Sequence, residues 1–153
     1  CMGGGLGIAM TADLRIAAEG SVFGIPAARL GIAYDTINLM RLVSLVGPSR
    51  AKEILFTAKR YSGEEAQAMG LINQVVPADA LEATVAEMCA GMAINAPLSM
   101  EASKFTIDQL AKQRPDLDDA GIQAMVDRCF NSADYAEGRK AFMEKRTPTF
   151  TGR

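Results

Sequence analysis

Apolar and polar side chains alternate from Asp13 to Ala18, the period of a strand with one covered face. Glu19-Gly20 then reads as a turn, and Ser21 to Pro26 as a second short extended run. From Asn38 to Val46 the spacing becomes helical, up to the Gly47-Pro48 pair. Ser62-x-x-Glu65 has the form of a capping box for a short helix ending before Gly70. Beyond residue 78 the pattern is helical almost throughout. Asp79 is placed to cap a helix from about Ala80 to Ile94, with Leu81, Val85, Met88 and Met92 on one face. Asn95-Ala96-Pro97 interrupts it, and a second helix is predicted from Leu98 to Ala111. After Gln113-Arg114-Pro115, Asp116 or Asp118 starts a third that reaches about Phe130. Ser132 heads a fourth, carrying Tyr135, Arg139, Phe142 and Met143. The strand-like runs thus fall in residues 1–78 and the helical tail in residues 79–153, with no linker, repeat or low-complexity stretch between them.

Composition narrows the function classes. The 153 residues amount to one domain, with a net charge of −2 and charges of both signs scattered along it. No basic patch invites nucleic acid, and no polybasic run invites a membrane surface. No apolar run approaches the roughly 20 residues that span a bilayer. Cys1, Cys89 and Cys129 are odd in number and form no CxxC pair, so they read as reduced thiols of a cytoplasmic protein. Histidine is absent, which removes the usual general base, the usual zinc ligand and any Ser-His or Cys-His pair within these residues. No metal site is expected.

The chemistry concentrates at Gly3-Gly4-Gly5-Leu6-Gly7. Glycine admits positive φ and lets a ligand approach the backbone closely. Amides at the start of the helix that follows lack an intrahelical acceptor and sit at the positive end of its dipole, a setting for developing negative charge. A plain tight turn is the other reading of such a triplet.

The triplet, Asp13-Leu14-Arg15-Ile16-Ala17-Ala18, Gly24-Ile25-Pro26, Gly47-Pro48-Ser49-Arg50-Ala51, Ser62-Gly63-Glu64-Glu65-Ala66 and Phe142-Met143-Glu144-Lys145-Arg146 follow one another in an order that resembles the crotonase (enoyl-CoA hydratase/isomerase) superfamily. The resemblance implies an α/β fold, a crotonase-like spiral of ββα units. Only its later turns are expected here, followed by a C-terminal helical trimerisation region. It also implies that the chain is the later part of a longer subunit, since the family's other oxyanion amide and much of its coenzyme A surface lie upstream. An acyl-CoA is the implied substrate, coenzyme A arriving as part of it with no separate cofactor, and a homo-trimer or hexamer the implied assembly. The amide of Gly4 would hold the thioester oxygen, with Gly3 beside it, and Phe142 and Lys145 match positions that reach coenzyme A across a subunit boundary. Lys145 is equally readable as a solvated charge.

Two departures from the family pattern matter. Hydratases of this family hold water between two glutamates, and the matching positions here are Gly7 and Ala27. A positioned acid or base contributes about 10²–10⁴ in rate, so two-glutamate hydration is not expected. Asp35, in Gly31-Ile32-Ala33-Tyr34-Asp35-Thr36, is the nearest substitute carboxylate, and this stretch is similar to the 4-chlorobenzoyl-CoA dehalogenase branch, where an aspartate at this position is the nucleophile. The tryptophan that supports it there falls at Ala27. Asp35 reads equally as the cap of the helix beginning near Thr36, and Tyr34 as a donor to substrate or as a filler of space left by glycines. The alternatives are therefore an Asp35-dependent hydrolase, dehalogenase or isomerase, and a silent acyl-CoA-binding member.

Overall fold

A computed structural model describes residues 1–30, 33–111 and 118–153, with the side chain of Phe142 outside the description. The chain divides into two compact units, Cys1–Val85 and Ala86–Arg153.

The first unit opens with helix α1 (Gly4–Ala9), followed by strands β1 (Ile16–Ala18) and β2 (Val22–Phe23). The predicted strand from Asp13 is shorter than its alternation, because the Arg15 amide donates to the Asn73 side chain at 2.8 Å rather than to a backbone ladder. Helix α2 (Ala27–Leu30) precedes α3 (Thr36–Thr57), which is broken at Gly47, where φ 74 and ψ 165 are reached at little cost only by glycine. Pro48 follows as an allowed first residue of the resumed helix. Strand β3 (Tyr61–Ser62), helix α4 (Gly63–Ala68) and strand β4 (Gln74–Val76) complete the unit's core. β1 pairs with β4 in parallel, Ile16 opposite Gln74, and β2 pairs antiparallel with β3, Phe23 opposite Tyr61. The capping box forms in full: Ser62 Oγ accepts the Glu65 amide at 3.2 Å and Glu65 accepts the Ser62 amide at 2.8 Å.

Leu6, Ile25, Leu42, Ile54 and Leu71 are the largest fully buried side chains and belong to one cluster, so α1, the Pro26 segment, α3 and the segment after α4 share a core. Each such side chain stabilises the fold by roughly 1.5–3 kcal/mol relative to exposure. Leu6 lies two residues beyond Gly4, so this core holds the glycine turn from behind.

A 3₁₀ turn, Ala78–Ala80, leads into α5 (Leu81–Ala93), which crosses the division between the units. Asp79 is not the cap predicted for this helix. Pro77 begins the turn, the Ala80 amide bonds the Pro77 carbonyl at 3.0 Å, and Asp79 falls inside the first turn. The second unit carries α6 (Pro97–Leu110), α7 (Asp119–Phe130) and α8 (Ala133–Glu144). Asp118 caps α7 through the Gly121 amide at 2.9 Å, while Asp116, the other candidate, lies outside the described residues. Ser132 Oγ accepts the Tyr135 amide at 3.0 Å, as its place ahead of α8 predicts. The buried Asp134 carboxylate accepts the amides of Thr151 and Gly152, each at 2.7 Å, and so ties the C-terminal segment to α8.

Candidate functional site

The glycine turn is pinned by its own backbone. Gly3 has φ 51 and ψ −117, a conformation that a Cβ disfavours. Its amide donates to the Gly24 carbonyl at 2.8 Å, and the Gly5 amide donates to the Met2 carbonyl at 3.0 Å. The Gly3 carbonyl accepts two bonds, from the Gly7 amide and from the Tyr34 hydroxyl, both at 3.0 Å. Between these committed groups, the Gly4 N–H has no acceptor among the described residues. Gly4 is exposed, and a Cβ built on it meets nothing within 4 Å. Helix α1 has only six residues, so its dipole is short and the capacity to hold an anion rests on the amide itself.

The sequence-predicted residues separate by unit. Gly3, Gly4, Tyr34 and Asp35 all belong to the first, whereas Phe142 and Lys145 belong to the second. Phe142's side chain lies outside the described ones. Lys145 is exposed and has φ 53, just past the end of α8, where the Arg146 amide closes the helix on the Ala141 carbonyl at 3.1 Å. The Gly3 amide, spent on Gly24, has no proton left for a ligand.

Gly7 and Ala27, where the resemblance led to the expectation of two glutamates, are closed in different ways. A Cβ on Gly7 would stand 3.0 Å from Asn38 Nδ2 and 3.1 Å from the Tyr34 hydroxyl, so these two side chains fill the space above that position. Ala27 is buried in the core next to Pro26, whose Cδ lies 3.8 Å from where a Gly3 Cβ would be. Neither position offers a group that titrates.

Asp35 has the geometry of a helix cap. Its Oδ1 accepts the Asn38 amide at 3.0 Å and its Oδ2 accepts the Asn38 side-chain amide, while Asn38 Oδ1 takes a bond from Arg41 at 3.3 Å. The Asn38 backbone bond, then its side-chain bond, holds the exposed Asp35 carboxyl below the ordinary carboxylate range. Burial, and then the charge of Asp35, pushes the half-buried Tyr34 phenol up, so it stays a donor at neutral pH. The Asn38 amide is a donor that a cap at Asp35 would use, but its side chain carried no role in the sequence reading. Its place three residues after Asp35 is the signal that could have found it, since that is where a capping side chain meets a backbone amide. Among the described residues no group of three or more His, Cys, Asp or Glu is placed to hold a metal ion, and no helix is long and apolar enough to cross a membrane.

The family model for enoyl-CoA hydratase/isomerase matches residues 1–153. The chain is 36% identical over 145 residues to the short-chain-enoyl-CoA hydratase of Clostridium acetobutylicum, covering 95% of this chain and 56% of that protein. It is 34% identical over 152 residues to the methylmalonyl-CoA decarboxylase of Escherichia coli, covering 98% and 58%. A crystal structure of an enoyl-CoA hydratase/isomerase family protein from Hyphomonas neptunium superposes with a TM-score of 0.90 at 35% identity, covering 100% of this chain and 58% of that one. The chain therefore spans a little under three fifths of the length of these relatives.

The cap predicts its own pH dependence. A carboxyl whose folded pKa is depressed stabilises fully above its ordinary value, 3.8 for Asp35, and loses that contribution as pH falls through the lower folded value. Asp35→Ala should lower Tm by about 2–4 °C at neutral pH, and the deficit should shrink below the ordinary carboxylate range. Asp35→Asn, which still caps, should change Tm little. Equal Tm for wild type and Asp35→Ala at pH 7 in thermal melts would remove the cap.

Proposed function

The chain belongs to the enoyl-CoA hydratase/isomerase family, its fold is crotonase-like, and we propose that its Gly4 N–H polarises the thioester carbonyl of an acyl-CoA. The observation that carries this reading is the unpaired Gly4 amide between the bonded amides of Gly3 and Gly5. A donor held in place before the substrate arrives costs no reorganisation when charge develops on the oxygen. The negative charge would develop as an enolate, and the Gly4 proton would meet it at the thioester oxygen. Coenzyme A enters as part of the substrate, and the site asks for no further cofactor.

The closed positions at Gly7 and Ala27 select among enolate reactions. Adding water across a double bond needs a group to move the proton, and neither position supplies one. Loss of a carboxyl group from a 2-carboxyacyl thioester needs no such base. The C–C bond breaks, its electron pair becomes the enolate, carbon dioxide leaves, and solvent returns a proton. The Escherichia coli relative is named for a reaction of this class, and the missing carboxylates favour it here over hydration. Asp35 has no observation favouring a nucleophilic role, since both of its oxygens are engaged by Asn38. A cytoplasmic location fits a coenzyme A substrate.

Replacing Gly4 with Pro removes the N–H while leaving a residue that the first helical position accepts. In the full-length protein, turnover across a panel of CoA thioesters, 2-carboxyacyl members included, should fall on the order of 10²–10³ with Tm nearly unchanged. A folded Gly4→Pro protein with wild-type turnover would sink the assignment.

Assembly as a trimer or a dimer of trimers forms part of the same reading. Helix α5 buries no residue, although Leu81, Val85, Met88 and Met92 recur at helical spacing along it. Light scattering on the full-length protein should give three or six subunits at micromolar concentration, and a monomer would contradict this.

A further inference from the structure

The Gly3 carbonyl and the Gly4 N–H are two ends of one planar amide. Whatever bonds the oxygen therefore acts on the proton. Two donors converge on that oxygen: the Gly7 amide from the next turn of α1, and the Tyr34 hydroxyl from a segment 31 residues away. We propose that Tyr34 is a positioning residue, its hydroxyl holding and polarising the Gly3–Gly4 peptide so that the Gly4 N–H is fixed in direction and strengthened as a donor. This rests on the reading of Gly4 as the oxyanion donor.

Three features of the site make the bond matter. First, the peptide lies between two glycines, so rotation about its flanking bonds meets little steric resistance, and Gly3 already sits at φ 51. A clamp on the carbonyl opposes a flip that would turn the Gly4 proton away. Second, hydrogen bonds in a chain polarise one another, by about 10–30% per bond in condensed phases. Accepting at oxygen draws electron density from nitrogen and leaves the proton more positive. Third, the phenol packs against the core cluster and keeps its proton at neutral pH, so the donor is always charged with the same task.

Gly7 is tied to the same device. A Cβ there would stand 3.1 Å from the Tyr34 hydroxyl and 3.0 Å from Asn38 Nδ2, which is tighter than ordinary contact. A side chain at residue 7 would press on the Tyr34 hydroxyl and on Asn38, one of which must give by a few tenths of an ångström. Glycine at this position thus leaves Tyr34 room to reach the turn.

The test uses the full-length protein and butyryl-CoA labelled with ¹³C at the thioester carbonyl. Isotope-edited infrared spectra report the drop in carbonyl stretch on binding, which measures polarisation at that oxygen and does not follow from fold stability. Tyr34→Phe keeps the ring and removes the donor, so the drop should shrink by about 10–30% or more, with the protein still folded by thermal melt. A wild-type drop in Tyr34→Phe overturns the proposal. 3-Fluorotyrosine at residue 34, whose more acidic hydroxyl is the stronger donor, should enlarge the drop, and an unchanged drop there overturns the proposal if Tyr34→Phe fails to fold. Gly4→Pro should shrink the drop further than Tyr34→Phe does, leaving what the rest of the full-length site supplies. If Gly4→Pro leaves it intact, or wild type shows none, the Gly4 reading fails. If Gly4→Pro shrinks it and Tyr34→Phe does not change it, only the role of Tyr34 fails.

Discussion

The Gly3 amide gives its proton to the Gly24 carbonyl at 2.8 Å, and this bond ties the glycine turn to the segment that leads into Pro26. Once it forms, Gly3 is held at positive φ, the Gly5 amide falls onto Met2, and the amide between them is left without a partner. Leu6, fully buried two residues on, anchors the same turn to the core that Ile25, Leu42 and Ile54 complete. An unpaired N–H is costly in the interior of a protein and cheap at an exposed helix start, where water can serve it until a ligand does. The turn therefore keeps a strong donor available at small cost to the fold.

The second constraint comes from α3. Its cap at Asp35 fixes where the helix begins, and that start sets Tyr34 just outside the helix and Asn38 within its first turn. Both side chains then meet α1, Tyr34 through the Gly3 carbonyl and Asn38 over Gly7. One polar cluster thus fills the space above Gly7. On the proposed reading, the site stabilises charge on oxygen rather than delivering protons.

Local signals were legible in the sequence, and distant ones were not. The Ser62/Glu65 box, the Asp118 cap and the Ser132 start each involve residues within three positions of one another, and each forms as read. Asp79 misled because Pro77 starts the turn earlier than the side-chain pattern suggests. The strand at Asp13 shortened because a side chain of Asn73, far along the chain, takes the Arg15 amide. At the site, amides at a helix start marked the glycine triplet as a place for negative charge, and the family resemblance singled out Gly4 within it. The bond from Tyr34 to Gly3 joins residues 31 apart and leaves no periodic trace, so only the folded chain reveals it. Asp35 carried two meanings in sequence because an aspartate before a helix caps and a loop aspartate can attack, and the Asn38 bonds favour the first.

The central claim is that the Gly4 proton is the one that meets the thioester oxygen. Labelling the full-length protein with ¹⁵N-glycine makes the three triplet amides visible together, and Gly4→Ala identifies the Gly4 signal by its loss. On saturation with butyryl-CoA, the Gly4 amide proton should move downfield as its bond to the carbonyl forms. The Gly3 and Gly5 protons, already bonded to Gly24 and Met2, should move little. A Gly4 resonance that stays in place at saturation, or moves no more than those of Gly3 and Gly5, would contradict the assignment.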